Sequence, residues 1–181
     1  GFMGKLNNSP LLSEGYAAAI DIGTTTVAGY VYKFPEGMLV KSVCLPNTQS
    51  KFGADVISRI NHAILGESAA LQNEITSVIK EITKDFSIQK FVICGNTAML
   101  YLLCGINPES LAVAPYTAKH LFGKSGENYF LMPCISSFLG SDVTAAMLSC
   151  NFEDKNSALL VDIGTNGEMV IKNGDTVVDE W

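Results

Sequence analysis

A four-residue sequence occurs twice in this chain and constrains its fold more than any other feature. Asp21–Thr24 reads Asp-Ile-Gly-Thr, and the same four residues return at Asp162–Thr165. Each copy follows an apolar run, Ala17–Ile20 in the first case and Ala158–Val161 in the second. Each copy also precedes a second apolar run that ends in Val-x-Lys before a turn. The repeat therefore predicts two β-hairpins of the same design, each with an Asp at a strand end and Gly-Thr in the turn.

The first of these turns has the composition of a phosphate-binding loop. Gly23 allows the backbone to come close to an anion. The N–H groups of the turn and the hydroxyls of Thr24, Thr25 and Thr26 are hydrogen-bond donors. Asp21 is a candidate to hold Mg²⁺ through water. An ordinary Gly-Thr hairpin turn is the alternative for one copy alone, but two copies in matching contexts favour a phosphate clamp built from two related lobes.

The second copy adds another glycine and another acid. Its predicted phosphate-binding residues are Gly164, Thr165, Asn166 and Gly167, and its predicted metal residue is Asp162. Glu168 follows directly. It is either a further metal residue acting through water or a solvated charge of the hairpin, and the sequence alone does not separate the two.

A third candidate lies at Gly140-Ser141-Asp142, where a glycine turn precedes a helical pattern. Ser and Asp commonly cap helix N-termini, and spacing alone favours that interpretation. The functional alternative is that Asp142 acts as a base or orients water towards a γ-phosphate.

Composition excludes several classes of function. The chain has 181 residues, a net charge of −6 and a pI near 4.8, and it contains no block of Lys or Arg, so a nucleic-acid footprint is absent. No apolar run reaches the length of a membrane span, and no signal peptide is visible. The five cysteines are odd in number and contain no C-x-x-C. This argues against a disulfide scaffold, a zinc site or an iron–sulfur cluster, and favours reduced thiols in the cytoplasm.

The apolar periodicity predicts an α/β fold. Residues 1–15 resemble a linker or a cloning remnant. Strands are predicted at 16–22, 26–34, 38–45, 91–94 and 130–133, and helices at 53–65, 68–86, 98–104, 108–113 and 141–150. A hairpin at 157–178 follows. The first three strands form a meander and β-α crossovers follow it, so we expect a five-stranded mixed sheet covered by helices.

With these motifs in place, the sequence resembles the ASKHA superfamily of acetate and sugar kinases, Hsp70 and actin. It is most similar to the C-terminal domain of reductive activators of corrinoid proteins. The segments that carry the resemblance are AIDIGTTTVAGY (19–30), FGADVISRI (52–60), CGNTAMLYLL (94–103), FLGSDVTAAML (138–148) and LLVDIGTNGEMVI (159–171).

The resemblance implies two ribonuclease-H-like lobes that close on ATP and Mg²⁺. Residues 16–150 would form the first lobe and 151–181 the truncated start of the second. Asp21–Thr26 and Asp162–Gly167 would be the two phosphate loops, and Asp142 would match the catalytic Asp of sugar kinases. Family members use ATP hydrolysis to drive electron transfer to a cobalamin protein, so the implied partner is a corrinoid protein. No ferredoxin-type Cys motif is present, and we expect no iron–sulfur cluster in this chain.

Three functions remain open at this point. The first is part of an ATP-dependent reductive activator of corrinoid proteins. The second is a small-molecule kinase of the same superfamily, with a sugar or carboxylic acid as substrate. The third is a non-catalytic lobe that binds a protein partner, so whether this chain is itself an enzyme stays undecided. Because a hairpin at 157–178 would expose apolar faces and sheet edges, we also expect it to pack on residues 16–150 or on a second copy of the chain.

Overall fold

A six-stranded mixed sheet forms the centre of the first part of the protein. The structure is a computed structural model that describes residues 13–164 and 167–180, with side chains described through residue 178. The strands are β1 (Gly15–Ile22), β2 (Thr26–Phe34), β3 (Met38–Pro46), β4 (Ile88–Gly95), β5 (Lys124–Ser125) and β6 (Tyr129–Leu131), in the spatial order β3-β2-β1-β4-β6-β5. β1 pairs with β2 antiparallel and with β4 parallel. The predicted linker lies largely outside the described residues.

The α/β prediction is confirmed, with one more strand than expected. The additional strand, β5, has two residues and pairs antiparallel with β6. Two residues are too few to show an alternating pattern, which is why the sequence does not reveal this strand.

Alternate side chains of β1 point either into the hydrophobic core or towards the opposite face of the sheet. Ala18, Ile20 and Ile22 are buried against the helices on one face of the sheet. Successive side chains of a strand point to opposite faces, so Asp21 projects from the other face. The same strand therefore supplies the core and presents a carboxylate at its end.

In the part of the chain that the structure describes, five α-helices accompany the sheet. They are α1 (Val56–His62), α2 (Ser68–Thr83), α3 (Thr97–Cys104), α4 (Glu109–Ala112) and α5 (Ser141–Ser149). The helix expected over 53–65 is shorter, because Asp55 caps its N-terminus and a π-helical turn at Ala63–Glu67 joins α1 to α2. Within that turn Gly66 has φ 102°, a conformation that interrupts regular helix geometry.

The second repeat begins a separate three-stranded antiparallel sheet. Its strands are β7 (Ser157–Ile163), β8 (Gly167–Asn173) and β9 (Thr176–Glu180). The predicted hairpin is thus confirmed and gains a third strand. Val170 of β8 packs with Leu139, with Val143 of α5 and with Phe152 in one buried cluster. This cluster fixes the second sheet against α5.

The other face of this sheet is apolar and exposed. Val161, Ile163, Met169, Ile171 and Val178 are between 39% and 87% exposed. The packing of Val170 on Leu139 and Val143 agrees with the first expected alternative, that the hairpin packs on residues 16–150. The expected two-fold dimer stays a prediction. Among the described residues, no helix is both long and apolar enough to cross a membrane.

Candidate functional site

Both copies of the repeat open onto one cleft of about 330 Å³. Its described lining residues are Asp21, Gly23, Thr24, Thr25, Thr26, Ala28, Asn96, Asp142, Asp162, Gly164 and Glu168. The structure thus brings together most of the residues that the sequence analysis selected. Gly167 lines the adjoining cavity instead, and the predicted phosphate ligands Thr165 and Asn166 lie outside the described residues.

The first loop is a tight hairpin turn that is held by a hydrogen bond within the turn and by hydrogen bonds from Asn47. The N–H of Gly23 donates to the carbonyl of Thr26 at 2.9 Å, so this donor is used within the turn and is not free for an anion. Asn47 supports the loop from the end of β3: its side-chain amide donates to the Gly23 carbonyl at 2.9 Å, and its backbone N–H donates to the Thr25 carbonyl at 2.8 Å. Thr25 and Thr26 are exposed and keep their hydroxyls available to the cleft.

Asn96 joins this loop to the β4–α3 turn. Its Oδ1 accepts from the N–H of Met99 at 2.9 Å and so caps α3. Its Nδ2 donates to Thr24 Oγ1 at 3.3 Å. One side chain therefore caps a helix and holds the buried threonine of the first loop.

We expect Asn96→Ala to loosen the loop as well as the helix. Loss of a cap costs about 1 kcal/mol, and the Thr24 hydroxyl would lose its neighbour. Amide exchange at Gly23 should therefore accelerate. Asp55→Ala is the matched control, because Asp55 caps α1 through the N–H of Ser58 at 2.8 Å and does not contact the loop in the described hydrogen bonds. Equal Gly23 exchange in both variants would contradict this link.

Asp142 lies in the first turn of α5, but it does not cap the helix. Gly140 occupies the N-cap position and supplies no side chain. The Asp142 carboxylate accepts from the N–H of the next residue, Val143, at 2.9 Å and faces the cleft. The capping interpretation that spacing favoured is therefore wrong.

Four carboxylates converge in the cleft, and the pKa values of three of them are raised. Burial, reinforced by the charges of Asp21, Glu168 and Asp162 and opposed by the hydrogen bond from the Val143 N–H, raises the pKa of Asp142 to about 6. Burial also raises the pKa of Asp21 and of Glu168, and Asp162 adds to both shifts. Asp21 is open to the cleft at its tip, yet surrounding protein atoms displace enough water to disfavour its charged form.

A thiol faces one of these carboxylates. Cys94 lies directly opposite Asp21 in the parallel register of β1 and β4, and its Sγ–H donates to the Asp21 carboxylate, which lowers the pKa of Asp21. Burial and the nearby charges of Asp21 and Asp142 raise the pKa of Cys94 well above its usual range. The thiol therefore remains a protonated donor and not a nucleophile.

The donor set fits a hydrated divalent cation. Among the described lining residues of the cleft none is Lys or Arg, so the carboxylates have no cationic side chain to balance them there. In the part of the chain that the structure describes, no three His, Cys, Asp or Glu side chains are grouped closely enough to bind one metal directly. Mg²⁺ commonly keeps several waters and uses few protein carboxylates, which agrees with both observations.

The sequence analysis assigned no role in the site to Asn47 or Cys94, and it did not predict the contacts of Asn96 and Ser141 with other parts of the site. Each acts through a contact with a residue distant along the chain. One sequence signal was the position of Cys94 at the end of a predicted strand, with Asn96 two residues further on.

Comparison with known proteins agrees with the fold. The six-stranded mixed sheet covered by helices confirms the predicted α/β fold. Residues 16–155 match the family described as the RACo middle region. The chain therefore belongs to this family.

Individual relatives point the same way. The chain is 34% identical over 183 residues to the corrinoid activation enzyme RamQ of Eubacterium limosum, covering 88% of this chain and 31% of that protein. It is 24% identical over 190 residues to a reductase of Methanosarcina barkeri, described as acting on a Co(II) methylated amine-specific corrinoid protein, covering 90% and 35%. A solved reductive activator for corrinoid, iron–sulfur protein superposes with a TM-score of 0.85 and 30% identity, covering 94% and 31%. The chain thus spans about a third of the length of the relatives it matches.

Proposed function

We propose that this chain forms the phosphate-binding part of an ATP-dependent reductive activator of corrinoid proteins. The observation that supports the proposal most directly is the convergence of both Asp-Ile-Gly-Thr turns and Asp142 on one acidic cleft. The named relatives that cover most of the chain act on corrinoid proteins, and this supports a corrinoid protein as the partner.

The charge of the cleft explains why a cation belongs in the proposal. Four carboxylates line a space that has no Lys or Arg among its described residues, so a polyphosphate would be repelled on its own. Mg²⁺ supplies charge neutralisation between phosphate oxygens and the protein. In this proposal Asp21, Asp162 and Glu168 hold the hydrated ion.

The remaining side chains would orient the phosphates and water. The hydroxyls of Thr25 and Thr26 face the cleft, and Thr24 can still donate because it accepts from Asn96. On the second strand pair, Gly164 leaves room for close approach of an anion. With a pKa of about 6, Asp142 is ionised in most protein molecules at neutral pH. It would orient the attacking water. In this proposal, ATP changes how far the lobes close, and the degree of closure regulates binding of the partner protein.

The lining of the adjoining cavity gives less support to the alternative function, a sugar kinase. This cavity has about 540 Å³ and shares Asn96 and Glu168 with the cleft. Most of its lining is apolar: Val56, Ile57, Ile60, Ala98, Leu111 and Phe138. The side-chain oxygens of Asp55 and Asn96 are already used to cap helices, which leaves few groups to bind the hydroxyls of a sugar. Asp142 is not among the described lining residues of the cavity.

The experiment uses inorganic tripolyphosphate, which needs the phosphate loops but no adenosine site. We expect calorimetric binding to this chain only when Mg²⁺ is present, and about tenfold weaker binding in Asp21→Asn, equivalent to about 1.4 kcal/mol. Asp175→Asn, which removes a charge from an exposed turn, is the control.

Turnover of Mg·ATP that rises on addition of a Co(II) corrinoid protein would support the activator function. Magnesium-independent binding, or phosphorylation of an added sugar, would overturn the proposal.

A further inference from the structure

A buried hydroxyl joins the start of α5 to the end of β4. Ser141 is fully buried. Its Oγ accepts from the N–H of Gly95 at 3.1 Å and donates to the carbonyl of the same residue at 3.1 Å. A single side chain thus satisfies both backbone polar groups of Gly95 in a place that water does not reach. Ser141 is also the residue immediately before Asp142.

The same end of β4 holds the opposite wall of the cleft. Cys94 donates its thiol to the carboxylate of Asp21, and Asn96 donates its amide to Thr24. Three consecutive residues, 94–96, therefore contact three different parts of the site: the predicted metal carboxylate, the start of α5 and the first phosphate loop. Movement of α5 relative to this strand end would change the distance between Asp142 and Asp21.

We propose that Ser141 is a positioning residue that fixes Asp142 relative to Asp21 and the first phosphate loop. The effect of Ser141 on turnover rests on the proposed function. Its effect on the position of the Asp142 carboxylate relative to the other carboxylates does not. Loss of the hydroxyl leaves the N–H and the carbonyl of Gly95 buried without this partner. Unsatisfied buried polar groups are costly, so the first turn of α5 would move away to admit water, and Asp142 would move with it.

A matched control lies one turn further along the same helix. Thr144 is also buried, and its hydroxyl donates to the carbonyl of Pro133 at 2.8 Å. Thr144→Ala therefore removes a comparable buried anchor of α5 without releasing the turn that contains Asp142. Ser141→Cys leaves a weaker hydrogen-bonding group in the same place, at a somewhat larger side-chain volume, and it serves if Ser141→Ala fails to fold.

The first readout requires no nucleotide. Replacing Asp142 by Asn at pH 8 should raise the midpoint of thermal unfolding, because it removes a carboxylate that its neighbours repel. In the Ser141→Ala background this rise should fall to about half or less, since Asp142 can then move away from the other charges. In the Thr144→Ala background the rise should keep its full size. Equal rises in all three backgrounds would overturn the positioning role.

The second readout is turnover of Mg·ATP. We expect Ser141→Ala to lower kcat about tenfold with the KM for Mg·ATP changed less than twofold, because the phosphate-binding loops remain in place. In an Asp142→Asn background, Ser141→Ala should lower kcat no further. A full additional tenfold loss there would mean that Ser141 acts independently of Asp142 and would overturn the inference. Absence of turnover in the unaltered protein would count against the proposed function alone, since the unfolding measurements still decide the role of Ser141.

Discussion

Gly140→Ala is expected to destabilise the protein strongly. A Cβ at this position would lie 2.3 Å from the Cα of Asn96, 2.6 Å from the carbonyl oxygen of Gly95 and 2.7 Å from Asp142 Oδ1. Two of these atoms belong to the backbone of the β4–α3 turn and cannot rotate away. The conformation of Gly140, φ −83° and ψ −171°, is open to alanine, so the whole cost comes from this contact. We expect a loss of about 3 kcal/mol in the free energy of unfolding.

The measurement is thermal unfolding, where such a loss corresponds to a fall of roughly 6 to 12 °C in the midpoint for a protein of this size. Gly167→Ala is the control, because a Cβ there meets no heavy atom within 4 Å. That variant should change the free energy by less than about 0.5 kcal/mol. If the two variants unfold at the same temperature, α5 is not packed against the strand end as described.

This close contact shows why the sequence predicts only part of the site. The repeated Asp-Ile-Gly-Thr turns predict hairpins because each pattern is local and each is bounded by apolar runs. Their convergence also follows, since duplicated lobes commonly face each other. The supporting contacts do not follow: Asn47 reaches back to Gly23, and Ser141 reaches back to Gly95, across long stretches of chain. No periodicity encodes such pairs, because they depend on how the helices pack.

The error over Asp142 has a related physical cause. A Ser-Asp pair after a glycine is typical of a helix cap, and local spacing cannot show that Gly140 itself takes the cap position. Packing against Gly95 and Asn96 leaves no room for a side chain at that point. Once glycine is required there, the hydroxyl of Ser141 turns towards β4 and the carboxylate of Asp142 turns towards the cleft. Steric constraint at one residue therefore determines the roles of the next two.

The second large effect concerns charge, and it is a gain in stability. Asp142→Asn should stabilise the protein at neutral and alkaline pH. The pKa of Asp142 is raised from 3.8 to about 6 in the folded state, so between these values the folded protein holds a proton that the unfolded chain releases. Stability then falls as pH rises from about 4 to beyond 6. Asparagine keeps the acceptor for the Val143 N–H and carries no charge, so this loss is removed.

Thermal unfolding of the two proteins from pH 4 to pH 8, without divalent cations, tests this directly. At pH 8 we expect Asp142→Asn to be more stable by on the order of 1 to 3 kcal/mol, a gain of roughly 2 to 12 °C. The gain should shrink towards zero near pH 4, where the carboxyl of the unaltered protein is protonated in the folded state. Asp175→Asn removes the same formal charge from an exposed turn and should show little of this pH dependence. A pH-independent gain, or a loss at pH 8, would mean that Asp142 is not held among the cleft carboxylates. The expected result would instead show that an ionised Asp142 facing Asp21, Asp162 and Glu168 lowers the stability of the fold. A site that binds a cation requires such a group of ionised carboxylates.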